Sequence, residues 1–177
     1  MKSIGNMTRL EMAGYISSEL GRMGIDVVLS GGSCVSIYSC EKYVSYDLDF
    51  VNMTFTKRKR MISAMESLGF HEENRYFKHP EKDLLIEFLS GPLAVGEEPV
   101  KQIDEIDTGM GVLRIISPTD CVKDRLTWYY HDKDTECLEQ AVLVAKACAI
   151  DLDEIQRWSE GEEKGEEFQL VRVRLIE

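Results

Sequence analysis

Two short segments and the spacing between them constrain this chain more than anything else in it. The first is Ile25-Asp26-Val27-Val28-Leu29, a largely apolar run closed by Ser30 and then by Gly31, Gly32 and Ser33. The second, after thirteen intervening residues, is Asp47-Leu48-Asp49-Phe50-Val51. A short apolar run ending in paired glycines reads as a buried strand turning sharply into a helix over Ser33 to Cys40. Glycine permits that turn and lets an anion approach the backbone. The first turn of the helix then offers unpaired N–H groups and partial positive charge, which suit phosphate oxygens.

The second segment alternates as a strand over residues 45–52. Side chains two apart share a face, so Asp47 and Asp49 point one way and Tyr46, Leu48 and Phe50 point the other, toward the core. Two carboxylates side by side raise each other's pKa unless a cation lies between them. Magnesium takes oxygen ligands and keeps part of its shell for water and phosphate, which makes a strand-borne Asp-x-Asp a natural ligand pair.

A third acid sits in Leu84-Leu85-Ile86-Glu87-Phe88-Leu89. A carboxylate within an apolar strand is costly to bury alone. A metal, an arginine or a water-filled cleft would compensate Glu87, the plainer alternative being a structural ion pair with Lys82, Lys78 or Arg75. The two upstream aspartates favour the metal.

The rest of the chain supplies a frame. Met7, Leu10, Met12, Ile16, Leu20 and Met23 form a helical stripe that Gly24 ends. Thr56 is placed to cap a helix running to Leu68, with Lys57-Arg58-Lys59-Arg60 as its solvated start. Residues 70–77 read as a broken strand or hairpin, 83–89 as a strong strand, and 100–106 and 112–116 as two further strands. Ser117-Pro118-Thr119-Asp120 opens a helix with a cap residue and proline at the first position, and helices fit 118–131, 134–148 and 151–160. Glu160 to Glu167 is acidic and glycine-broken, read as a linker. In Phe168 to Ile176, Val171, Val173 and Leu175 alternate with Arg172 and Arg174, which predicts a strand able to extend a sheet edge, in this molecule or a partner. The expected fold class is α+β: a mixed β-sheet with flanking helices in residues 1–116, a small C-terminal helical appendage in 117–161, and a linker with a strand-like tail in 162–177.

Composition narrows the function. At 177 residues with a net charge of −11, the chain suits one domain and does not suit a surface that coats nucleic acid. Its five cysteines form no CxxC pair, so reduced and mostly buried thiols are expected. No apolar run is long enough to cross a bilayer and the N-terminus lacks a signal-like core, so a cytoplasmic location is the expectation.

Gly32-Ser33, thirteen residues, Asp47-Leu48-Asp49-Phe50 and the later Ile86-Glu87-Phe88 together resemble the signature of the DNA polymerase beta-like nucleotidyltransferase superfamily. The resemblance covers about residues 25–90. More loosely, Ser117 to Glu160 is similar to the helical tail of small bacterial and archaeal members, including relatives of abortive-infection toxin nucleotidyltransferases. The resemblance implies that Asp47, Asp49 and Glu87 hold two magnesium ions (manganese being an alternative), with Glu87 completing the site around the attacking hydroxyl. Gly31, Gly32 and Ser33 would bind the phosphates of a nucleoside triphosphate. A cation normally helps the pyrophosphate leave. Lys123 and Arg125 are the candidates, although two residues apart on a helix they face different ways.

The expected activity is therefore transfer of a nucleoside monophosphate to a hydroxyl on an RNA end, a protein or a small molecule, without a membrane partner. A homodimer through the C-terminal tail fits the strand reading. A non-catalytic nucleotide-binding or toxin–antitoxin-type partner with the same fold is the alternative. A glycosyltransferase reading of Asp-x-Asp leaves Gly31-Gly32-Ser33 unexplained.

Overall fold

The computed structural model describes residues 2–176. Helix α1 (Arg9–Arg22) is opened by a reciprocal cap: the Thr8 hydroxyl accepts from the Glu11 N–H and the Glu11 carboxylate accepts from the Thr8 N–H. Strand β1 (Val27–Ser30) leads into the short helix α2 (Gly32–Tyr38), and β2 (Asp47–Asn52) into α3 (Arg58–Ser67). Strands β3 (His71–Glu73), β4 (Tyr76–His79) and β5 (Lys82–Ser90) follow. Two two-residue strands, β6 (Ala94–Val95) and β7 (Glu98–Pro99), pair with each other next. Strands β8 (Ile103–Asp107) and β9 (Val112–Ile116) complete the sheet, and α4 (Pro118–Asp132), α5 (Thr135–Ala147), α6 (Leu152–Gly161) and α7 (Gly165–Ile176) end the chain.

Seven strands form one mixed sheet in the order β3-β4-β5-β2-β1-β9-β8. β1 runs antiparallel to β2 and parallel to β9, and β2 runs parallel to β5. The antiparallel pairing of Ser30 with Asp49 brings the turn after β1 to the end of the sheet where β2 begins. Because β5 runs alongside β2, its N-terminal half reaches the same end.

One face of the sheet is plain core. Leu29 pairs with Phe50, Phe50 with Phe88 and Leu48 with Ile86. The Phe50 and Phe88 rings stack with centroids 5.8 Å apart, and Phe77 meets Phe88 edge-on at 5.5 Å. α1 contributes Met12, Ile16 and Leu20, all fully buried, as its helical stripe predicts. Tyr46 departs from its expected place. It precedes the strand rather than lying in it and is 85% exposed.

The C-terminal helices bear out the cap signals. The Ser117 hydroxyl accepts from the Asp120 N–H (3.1 Å) and Asp151 Oδ1 accepts from the Glu154 N–H (2.9 Å). Thr56 does not cap α3. Lys57 takes that position with no side-chain cap, and Thr56 Oγ1 instead meets Thr54 Oγ1 at 2.8 Å. The cysteines are all free, and Cys34, Cys121 and Cys137 are buried.

The largest correction is the tail. Residues 165–176 are a helix, packed against α5 and α6, and only residues 162–164 connect it to α6. Phe168, Val171 and Leu175 are buried while Val173 is 56% exposed. Spacings of three and four are a helical stripe, and strand alternation would have buried Val173 together with its neighbours. No strand is therefore present there to extend a sheet edge, which removes the premise for edge pairing between two copies.

Candidate active site

The site is built where β1 turns into α2 beside the start of β2. Gly31 has φ +71°, a left-handed conformation that side chains rarely adopt. It also packs against an acid: a Cβ built on Gly31 would lie 2.8 Å from Asp49 Oδ2. Glycine is required here by both backbone and contact. At Gly32, a Cβ would meet Ser45 Oγ at 3.2 Å and the Tyr43 hydroxyl at 3.4 Å. Gly32 and Ser33 begin α2, so their N–H groups have no intrahelical acceptor.

Ser33 is fully buried and its hydroxyl donates to the Asp47 carbonyl, while Arg9 Nη1 donates to Ser33 Oγ at 3.3 Å. The Ser33 side chain thus ties α2 to β2. Ser45 Oγ donates to Asp47 Oδ1 at 2.8 Å and so orients that carboxylate. Sequence reasoning missed Arg9, Tyr43 and Ser45, which have no motif spacing to mark them and come together only through the fold.

Asp49 and Glu87 are in direct register on adjacent parallel strands, so both side chains leave the same face of the sheet, with Asp47 two residues away on that face. Burial first, then the charges of Asp47 and Glu87, push the Asp49 carboxyl up to about 7. Arg125 opposes this rise without cancelling it. Glu87 also faces Tyr76 of β4 in register, and its Oε1 lies 3.3 Å from Arg75 Nε. The ion pair considered from sequence with Arg75 therefore exists.

The donor set is all oxygen, partly buried and short of positive charge, which fits a hard divalent cation. Among the described residues, no three histidine, cysteine, aspartate or glutamate side chains are gathered as a metal-binding group. Glu87 is turned to Arg75, and one oxygen of Asp47 accepts from Ser45.

The two cations proposed from sequence go separate ways, being about 200° apart around α4. Lys123 is buried and its ammonium pairs with Glu154 (2.6 Å) and Asp120 (3.3 Å). It lines a cavity of about 400 Å³ whose walls include Glu98, Asp104, Glu154 and Trp158 but none of Gly31, Asp47, Asp49 or Glu87. Arg125 is on the side whose charge reaches Asp49, yet it is buried, paired with Asp124 and donating to Gln140 Oε1 at 3.2 Å. Both are committed to packing the helices.

The chain matches no protein-family model and no curated protein. Among solved structures, an antigenic nucleotidyltransferase-like protein from Paracoccidioides brasiliensis superposes with a TM-score of 0.63 over 92% of this chain and 91% of its own, at 12% identity. The antibiotic-resistance factor ANT(2'')-Ia superposes with a TM-score of 0.52 over 94% of both chains, at 13% identity. The chain has the nucleotidyltransferase fold. Both superpositions cover more than nine-tenths of the chain, so the likeness of fold extends well beyond the segment that carries the sequence signature.

Proposed function

We propose that this protein is a magnesium-dependent nucleotidyltransferase that moves a nucleoside monophosphate from a nucleoside triphosphate to a hydroxyl acceptor. The observation that carries the reading is the register of Asp49 with Glu87 on one face, with the backbone of Gly31 packed against Asp49. Asp47, Asp49 and Glu87 would hold the metal, which when bound supplies a lowered hydroxyl pKa and a clamp on the triphosphate. The unpaired N–H groups of Gly32 and Ser33 donate to phosphate oxygens. The buried Ser33 hydroxyl does not join them; it keeps α2 fixed to β2, so that those N–H groups stay beside Asp47. Ser45 holds the Asp47 carboxylate in one orientation. The acceptor oxygen forms a bond to the α-phosphorus, the bond to the pyrophosphate oxygen breaks, and Glu87 takes the hydroxyl proton.

The strands give this reaction a direction. The glycine turn flanks the aspartates on the β1 side, while Glu87 and β4 flank them on the other. In-line displacement puts pyrophosphate and acceptor on opposite sides of phosphorus, so the acceptor enters from the β4 side. Among the described residues, no helix is long and apolar enough to cross a membrane.

The test is incubation with each α-labelled nucleoside triphosphate, magnesium and a total cell extract. Pyrophosphate release and a labelled acceptor are expected with at least one nucleotide. Nucleotide binding without any pyrophosphate release would overturn catalysis and support the partner-protein reading.

A further inference from the structure

Glu87 and Arg75 are unequal partners. The Glu87 side chain is 14% exposed and fixed in the middle of β5, whereas that of Arg75 is 68% exposed at the β3–β4 turn. The turn itself is anchored. Arg58 Nη2 donates to the Arg75 carbonyl at 3.0 Å, the Arg58 guanidinium lies 4.8 Å from the Phe77 ring centroid, and Arg58 pairs with Glu72. The Arg75 guanidinium rests 4.9 Å from the Tyr76 ring centroid and its Nη2 donates to the Tyr76 hydroxyl at 2.7 Å. A rigid turn therefore carries one long, exposed cationic side chain with two partners, Glu87 and Tyr76. With Lys123 and Arg125 committed inside the helices, Arg75 is an exposed cation in contact with the acid face.

Resting on the nucleotidyltransferase reading, we propose that Arg75 is the exchangeable counter-ion of the site: it holds Glu87 when no metal is bound, yields that carboxylate to the divalent cation, and then offers its guanidinium to an anionic group of the acceptor. The physical basis is competition. A monovalent, solvent-exposed guanidinium contributes little to such a pair. A divalent cation interacting with Asp47 and Asp49 as well outweighs it. Once released, Arg75 lies on the β4 flank, where the acceptor enters. A free guanidinium there favours an acceptor with a phosphate or carboxylate near its hydroxyl, and disfavours a polycationic one.

The test uses the full chain and two probes. Manganese binding, followed by the loss of the free-ion paramagnetic resonance signal, is measured for the wild type, R75A, R75K and K78A. R75A is expected to bind manganese about two- to five-fold more tightly, the fold-change of a lost pair of this strength. R75K should stay near wild type. K78A removes an equal charge from the same hairpin, where Lys78 pairs with Glu73 rather than Glu87, and should also leave affinity unchanged. Equal affinity in R75A and wild type, or equal tightening in R75A and K78A, overturns the exchange while leaving the metal reading intact. A wild type that binds no manganese at millimolar concentration removes the ground from both.

The second readout is the Nε–Hε NMR signal of Arg75, assigned by its absence in R75K. It should shift on magnesium addition in the wild type and stay still in E87Q. In magnesium-loaded protein it should shift again with the dinucleotide ApA, whose phosphodiester adjoins a sugar with a free 3′-hydroxyl, and not with adenosine. An equal response to both compounds overturns the anion-binding half of the proposal.

Discussion

Two groups of acids in this molecule behave in opposite ways. On the sheet, Asp47, Asp49 and Glu87 share a face with one exposed arginine at its rim, and the Asp49 carboxyl is pushed up to about 7. Between α4 and α6, Glu154 is bonded by Arg157 and Lys123 and its carboxyl is drawn down to about 2, although burial pulls the other way. Arg157 also forks onto both oxygens of Glu98 (2.8 and 2.7 Å). The residue types are the same, and the difference is the supply of positive charge. Where the fold supplies its own cations, acids act as cement. Where it withholds them, the acids remain available to a cation from outside, and the folded protein bears the electrostatic cost of keeping them together.

The largest expected break in that contrast is Asp49→Asn. It should lower turnover by about a thousand-fold or more, since a metal ligand is lost from the reacting centre. Steady-state pyrophosphate release checks this, and near-wild-type turnover would remove Asp49 from the site. Lys123→Met attacks the other cluster. It removes the cation paired with the largely buried Asp120, while Glu154 keeps Arg157, with an expected loss of about 1–2 kcal/mol of stability by chemical denaturation. Turnover per folded molecule should be unchanged, because Lys123 faces a different cavity.

The pH responses sharpen the comparison. The folded pKa of Asp49, about 7, lies above its ordinary value of 3.8. The folded state therefore binds its proton more tightly, and metal-free stability falls as pH rises from about 4 through about 7. Glu154 has the opposite sign: its contribution is present above its ordinary value of 4.5 and is lost as pH falls toward about 2. Thermal melts across pH should show a decline from about pH 4 to about pH 7 that magnesium or Asp49→Asn abolishes, and a separate loss as pH falls below about 4.5 that neither removes. A comparably small effect is expected from Gly31→Ala. Its positive φ and the 2.8 Å approach to Asp49 predict a loss of roughly 1–2 kcal/mol, read from denaturation midpoints.

Much of the site was legible in residue order because its rules are local. The strand, glycine turn and helix over 25–40 follow from an apolar run and two residues without side chains, and Asp47 and Asp49 share a face because strand periodicity is two. Ser117-Pro118 and Asp151 marked helix starts because caps act within one turn. Arg75 was legible only as one of three possible partners for Glu87.

The sequence by itself determined where the acids lie along their strands and where the backbone must turn with glycine, since both depend on neighbours in the chain. Only tertiary structure decided that β5 lies parallel to β2, so that Glu87 stands beside Asp49 across 38 residues of chain. It also decided the fates of Lys123 and Arg125, because a buried cation goes to whichever carboxylate or amide the neighbouring helices present. The tail was decided in the same way. Val171, Val173 and Leu175 satisfy both a strand and a helix pattern, and burial of Phe168, Val171 and Leu175 against α5 and α6 stabilises the helix.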